Sequence, residues 1–260
     1  MQIIISPAKS LKPEQAALPV TTQPAGIAKT SILAEYLKSM SDRELQELWQ
    51  VNDKIAQKTI AWVRNFKPST LGTRALETYN GQVFKSMQPT IFNDREWDYI
   101  SNHLFIISGF YGAVRPIDGI QPYRLVMASP LDLNYKGKHY TSLYDFWGDD
   151  IYKTVTEHDN LILNLASKEY AKAVLDHRSN DVRIVTCDFA DLVLDKKGHP
   201  KAKMKTMAAK IARGLMVRYL AENQIEDLEG VKKFNIDGYH FYPELSDDNH
   251  FIFIQKDLTK

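Results

Sequence analysis

Cysteine is all but missing from this chain: among 260 residues only Cys187 carries a thiol, so no disulfide can close within it, which fits a reducing cytosol. The seven histidines, at 103, 139, 158, 177, 199, 240 and 250, include no H-x-x-H or H-x-x-x-H pair. With so few soft ligands a zinc or iron–sulfur site is not expected, and neither a metal nor a cofactor is called for. Also missing are the Walker A loop, the G-x-G-x-x-G fingerprint and the G-x-S-x-G elbow. No apolar run approaches membrane-spanning length. Ile3-Ile4-Ile5 is short and lacks a basic leader, so a soluble, cytoplasmic protein is expected. A large net charge is missing too. The formal value of +1 argues against a globally basic nucleic-acid binder, although net charge averages away any local basic face. No internal repeat recurs along the chain.

What is present has ordinary globular proportions, 44% apolar and 25% charged, and residues 1–260 are enough for one large domain or two small ones. Short apolar runs at 2–5, 104–107, 161–165 and 182–189 read as buried strands. Residues 12–30, with three prolines, read as an extended loop, and 82–100 as helix in pieces. Residues 131–140 read as a hairpin around Gly137, and 234–253 as a closing hairpin. Ser41 and Glu44 form a capping box, Val51-Asn52-Asp53 a break, and residues 54–66 a second helix. The result is a helical hairpin at about 41–66. In a DNA-binding hairpin the turn's backbone N–H groups and nearby lysines, here Lys54 and Lys58, would grip phosphates. The usual turn glycines are absent, however, and an ordinary helix pair accounts for the same residues.

The densest polar stretch is 103–127. A buried strand runs into Ser108-Gly109, and Tyr111, Arg115, Asp118, Gln121, Tyr123 and Arg124 follow. Pro116 and Pro122 stiffen the backbone around Arg115 and Tyr123. Two guanidinium groups beside aromatic rings suit phosphate or carboxylate, and a structural loop with internally paired arginines is the alternative.

Other candidates follow strands. Lys9 comes just after the first strand, where open α/β sheets place ligand groups. Asn164 ends an apolar strand and needs partners, while Ser167 and Glu169 suit a helix start. Asp149 and Asp150 suit capping or pairing, with Arg115 or Arg124 as partners, ahead of metal ligation, because no second acidic cluster at ligand spacing accompanies them. From Lys196 to Ala221 there are eight Lys or Arg and no Asp or Glu. Residues from Thr206 on are helical, with Lys210 and Arg213 opposite the apolar face, Arg218 at its edge, and Gly214 hinting at close backbone packing or approach to a ligand. A solvated basic face is the usual meaning of such a run, but mutual repulsion among these cations would be relieved by an anionic partner such as a phosphate backbone.

Several blocks together resemble the YaaA peroxide-stress family of bacteria. They are Ile5-Ser6-Pro7-Ala8-Lys9, the SGFYGAVRPID of 108–118, Gln121-Pro122-Tyr123-Arg124, and Leu143-Tyr144 with Phe146-Trp147-Gly148-Asp149. Asn164-Leu165-Ala166-Ser167 with Glu169-Tyr170, then Lys210, Ala212-Arg213-Gly214, Met216 and Arg218, and lastly Phe234 with Gly238-Tyr239, continue the match in order. The resemblance implies a mixed α/β fold with a central mixed sheet flanked by helices, the family's own "cantaloupe" fold with a helix-hairpin-helix element. It also implies protection against peroxide by lowering free iron, and binding of double-stranded or structured DNA in a basic cleft.

Two readings are carried forward. In the first, Lys54, Lys58, Arg115, Tyr123, Arg124, Lys210, Arg213 and Arg218 bind DNA without regard to sequence. In the second, the chain is an enzyme acting on a nucleotide, nucleoside or damaged nucleic acid. Its candidate residues are Lys9, Arg115, Asp149, Asn164, Ser167 and Glu169, with Glu169 or Asp149 as general base.

Overall fold

The chain begins with a fully buried strand, β1 (Gln2–Ile5). A computed structural model describes residues 1–12 and 19–258, so residues 13–18 of the expected 12–30 loop lie outside the described residues. That loop ends sooner than the prolines suggest. Helix α1 (Ile27–Ser39) begins after Gly26, which offers no side-chain cap, and buries Leu33, Ala34 and Leu37. The expected helix pair follows as α2 (Asp42–Trp49) and α3 (Asp53–Asn65). Ser41 and Glu44 close a reciprocal capping box on α2, and Asn52 Oδ1 accepts from the Ile55 N–H at 3.0 Å on α3.

Short elements lead to the second core strand: β2 (Thr73–Arg74), α4 (Ala75–Thr78), α5 (Gln82–Met87) and α6 (Asp94–His103). Then come β3 (Leu104–Ser108), its antiparallel neighbour β4 (Gly112–Val114), and β5 (Gly119–Ile120), which pairs with β2. The predicted hairpin forms as β6 (Pro130–Tyr135) and β7 (Lys138–Ser142), turning through Lys136 and Gly137 at φ of 49° and 77°. Helices α7 (Leu143–Trp147) and α8 (Asp150–Thr156) precede β8 (Leu161–Asn164), and α9 (Lys168–Leu175) leads to β9 (Arg183–Leu194). β9 outruns its apolar segment by five residues and pairs with β10 (Pro200–Met204), part of the basic stretch. The chain ends with α10 (Thr206–Asn223), α11 (Leu228–Lys232), β11 (His240–Phe241) and β12 (His250–Asp257).

The result is an α/β fold around a mixed eight-stranded sheet in the order β11-β12-β9-β8-β1-β3-β4, with β10 on β9. The pairs β3–β1, β1–β8, β8–β9 and β9–β12 are parallel, and both β1 and β8 are buried almost throughout. Helices cover the sheet: α6 and α9 pack on β1, α9 also on β3, and α10 on α5, α6 and β9. From β1 the chain next enters the sheet to one side, at β3, whereas from β8 it continues to the other side, at β9. Right-handed crossovers running in opposite directions place their helices on opposite faces. The carboxyl ends of β1 and β8 therefore flank a topological switch point, where open α/β sheets leave a crevice. Among the described residues no helix is long and apolar enough to cross a membrane.

Candidate functional site

The two strands at the switch point end in hydroxyl-bearing turns that are tied together. The Ser167 N–H donates to Ser6 Oγ at 2.8 Å, and Ser6 Oγ donates to Ser167 Oγ at 3.1 Å. Asn164, the last residue of β8, is buried and spends its amide on this turn. Its Oδ1 accepts from the Ala166 N–H at 2.9 Å and its Nδ2 donates to Thr186 Oγ1 at 3.1 Å. Ser167 precedes α9 but makes no side-chain cap; its hydroxyl accepts from Ser6 Oγ, and the Tyr170 N–H donates to the Ser167 carbonyl at 3.0 Å.

Above this seam lies a cavity of about 500 Å³, within the range of small-molecule sites. Lys9 and Ser10 reach it from the turn after β1, Ser167 from the turn after β8, Glu169 from the first turn of α9, and Lys210 and Arg213 from α10. Helix α5 closes the remaining side. Its entry depends on Gly81, where a Cβ would stand 2.8 Å from that of Ala8. α10 meets α5 equally closely: a Cβ on Gly214 would lie 2.1 Å from Val83 O. Of the two roles open to Gly214, close packing is the one realised.

Three cations thus face one carboxylate. Glu169 Oε1 accepts from the Ala128 N–H at 3.1 Å and Oε2 has no partner among the described residues. Arg213 is the least solvated cation, its side chain 14% exposed. This corrects its expected solvent-facing position: α10 is covered by α5, α6 and β9, and buried residues occur around much of its circumference. Burial pulls the Arg213 guanidinium below its ordinary range, against the opposing pull of the Asp188 carboxylate. That carboxylate lies 3.9 Å away, too far for a hydrogen bond, and its other oxygen meets His250 Nε2 at 2.8 Å. Arg213 Nε is buried with no hydrogen-bond partner. A buried guanidinium N–H with nothing to donate to, at the wall of a cationic cavity, suits an anion that completes it.

The other candidates are elsewhere. Arg115 directly follows β4, which runs back along β3, and so lies beside the start of β3 at the opposite end of the sheet. It lies 4.4 Å over the Phe105 ring and donates to the carbonyls of Ser101 and Asn102 at 3.1 and 3.2 Å. Its chemistry is that of the structural loop, with backbone carbonyls in place of the expected acids. Asp149 pairs with Lys153 at 2.9 Å outside the cavity, which holds its carboxyl low, and Asp150 pairs with Lys29, so neither meets Arg115 or Arg124. Tyr123 is core: it accepts from Ser108 Oγ at 2.7 Å, lies 2.7 Å from Tyr79 OH, and its phenol is pushed by burial to about 12. Arg124 is half-buried with its guanidinium lowered by burial, but does not line the cavity. Arg218 is engaged by Glu222 and by Gln88, each at 2.6 Å. Lys54 and Lys58 are exposed on α3. In the turn before them the Ile55 N–H is taken by Asn52, and Gln46 donates to Asp53 at 2.8 Å. Ser6, Ser10 and Thr206 line the cavity without having been singled out, although Ser6 directly follows an apolar strand.

Residues 1–245 match the family described as peroxide stress protein YaaA. A UPF0246 protein of Lachnoclostridium phytofermentans is 39% identical over 255 residues, covering 98% of this chain and 96% of its own. One from Limosilactobacillus reuteri is 37% identical over 254 residues, covering 97% and 98%. One from Lactobacillus acidophilus is 38% identical over 255 residues, covering 97% and 96%.

Proposed function

The chain belongs to the peroxide stress protein YaaA family, and from that premise we propose that it serves the peroxide stress response by binding DNA phosphate in the switch-point cavity and processing the damaged strand there. The observation that carries this reading is that Arg213, whose buried Nε has no partner, lines one cavity with Lys9 and Lys210, opposed by the single carboxylate of Glu169. Arg213 takes a phosphate oxygen, Lys9 and Lys210 add charge from the rim, and the Glu169 carboxylate is the group in the cavity able to act as general base. Asn164, Ser6 and Ser167 hold the turns that position these groups. Any lowering of free iron follows indirectly, from protection of DNA. Among the described residues no three His, Cys, Asp or Glu side chains gather to hold a metal.

Binding by this route releases counterions. The affinity for a short DNA oligonucleotide should fall linearly in log–log form with salt, and Arg213→Lys, which keeps the charge but loses the Nε donor, should weaken it about tenfold or more. Affinity indifferent to salt, or unchanged in Arg213→Lys, overturns the proposal. The α2–α3 hairpin is a second possible grip, supported by the exposed Lys54 and Lys58. A Lys54→Glu/Lys58→Glu double variant that loses most of its DNA affinity would move the main contact there.

A further inference from the structure

A second cavity, of about 570 Å³, lies on the far side of Phe84 from the first, and the Phe84 ring lines both. The ridge between them is the bridge Leu11↔Tyr79, closed by Asn80 N–H donating to Ser10 O at 2.9 Å and Lys12 N–H to Thr78 O at 2.8 Å. Aromatic rings form much of its wall: Tyr79 stacks on Phe84 at 5.1 Å, and Phe92 meets Trp97 edge-on at 6.4 Å. Asn80, Gln88, Thr90 and Asp94 give the same cavity a polar side, and the short helix α4 adds Glu77 to its lining. Glu77 Oε2 is buried with no hydrogen-bond partner, and neither carboxylate oxygen has an ion-pair partner among the described residues. Lys12 and Lys85 line the same cavity, yet neither reaches ion-pair distance of it.

A buried carboxylate oxygen without a donor is costly, and folding offers Glu77 no other obvious purpose. Rings with a carboxylate between them suit a flat ligand presenting adjacent N–H donors, since a carboxylate accepts two parallel hydrogen bonds. Guanine presents such an edge, N1–H beside the 2-amino group. A guanidinium ion presents one also, but Lys12 and Lys85 against Glu77 and Asp94 leave the cavity no net charge to draw in a cation, while its rings suit a flat neutral base. From the orphaned Glu77 carboxylate, the aromatic walls and the balanced charge, we infer that this cavity is a guanine-binding site. Glu77 reads the N1–H and 2-amino edge and the aromatic walls hold the ring. Adenine and cytosine offer one donor group beside an acceptor, which faces the carboxylate unfavourably.

The test is calorimetric titration of the whole protein with guanosine, inosine, adenosine and guanidinium chloride. These probes carry no phosphate, so the outcome here and the outcome for the Arg213 cavity can differ. Guanosine should bind at least about tenfold more tightly than inosine, which lacks the 2-amino group, and more tightly still than adenosine. Glu77→Gln should abolish that ranking while its melting temperature confirms folding. Should Glu77→Gln not fold, Trp97→Ala replaces it: weaker guanosine binding, restored by Trp97→Phe, supports the site. Equal binding of guanosine and adenosine, preference for guanidinium, a ranking that survives Glu77→Gln, or no binding at all overturns it.

Discussion

Ser6 Oγ accepts the Ser167 N–H at 2.8 Å across 161 residues of sequence, joining the ends of two adjacent parallel strands. The bond fixes the seam from which Lys9 on one side and Glu169 on the other reach the cavity. Ser6→Ala leaves that N–H without its acceptor and should cost about 1–2 kcal/mol. In urea unfolding the midpoint should fall with an unchanged slope. An unchanged midpoint would mean water replaces the serine at no cost.

Gly214→Ala sets two effects against each other. Alanine gains about 1 kcal/mol of helix propensity over glycine. The added methyl would sit 2.1 Å from both Val83 O and Ser86 Oγ; the hydroxyl can rotate away, but the backbone oxygen cannot yield without moving α5. Overpacking of this kind costs about 1–3 kcal/mol. Net destabilisation should result, together with weaker DNA binding because α5 carries a wall of the cavity. A more stable variant would show that α5 shifts freely.

Arg115 and Arg213 should separate cleanly. Arg115→Ala loses two carbonyl hydrogen bonds and a ring contact, so it should lower stability by about 1–3 kcal/mol and leave DNA affinity unaltered. Arg213→Ala should do the reverse for DNA, with affinity falling by an order of magnitude or more at constant salt. Measuring both variants by unfolding and by fluorescence anisotropy checks the assignment. Lost affinity in a well-folded Arg115→Ala would return that residue to the binding surface.

Burial raises the Asp118 carboxyl above its ordinary 3.8, although the Arg115 N–H, Thr22 and the Arg115 charge pull it down. The folded chain therefore keeps this proton at pH values where the unfolded chain has lost it. The contribution is full below the unfolded value and is lost as pH rises through the folded one. Relative to Asp118→Asn, the native protein should lose stability over that window, and the Asp118 carboxyl carbon should titrate by NMR above 3.8. A midpoint below it would reverse the sign.

Much of this fold is legible in the residues. β1, β3 and β8 are short, apolar and buried on both faces, so composition alone marks them. The Ser41–Glu44 box announces α2 because capping is a local interaction. β10 is different: Lys201, Lys203 and Met204 are exposed, and its place comes from backbone pairing with β9, which leaves no hydrophobic pattern. The site was half legible. Lys9, Ser167 and Glu169 follow strand ends, where position alone nominates them. Periodicity places Arg213 opposite the apolar face because it sees one helix face, whereas α10 is packed from several directions. Arg115 shared its stretch with Tyr123 and Arg124, but β4 runs antiparallel and carries it to the other end of the sheet. Sequence proximity could not show that reversal.

The most direct measurement is diffraction from crystals grown with a 5′-phosphorylated deoxydinucleotide. The account predicts phosphate density in the switch-point cavity, with an oxygen within about 3.2 Å of Arg213 Nε and Lys210 or Lys9 turned toward it. A dinucleotide bound along α2–α3, with the Arg213 cavity holding only water, would contradict it.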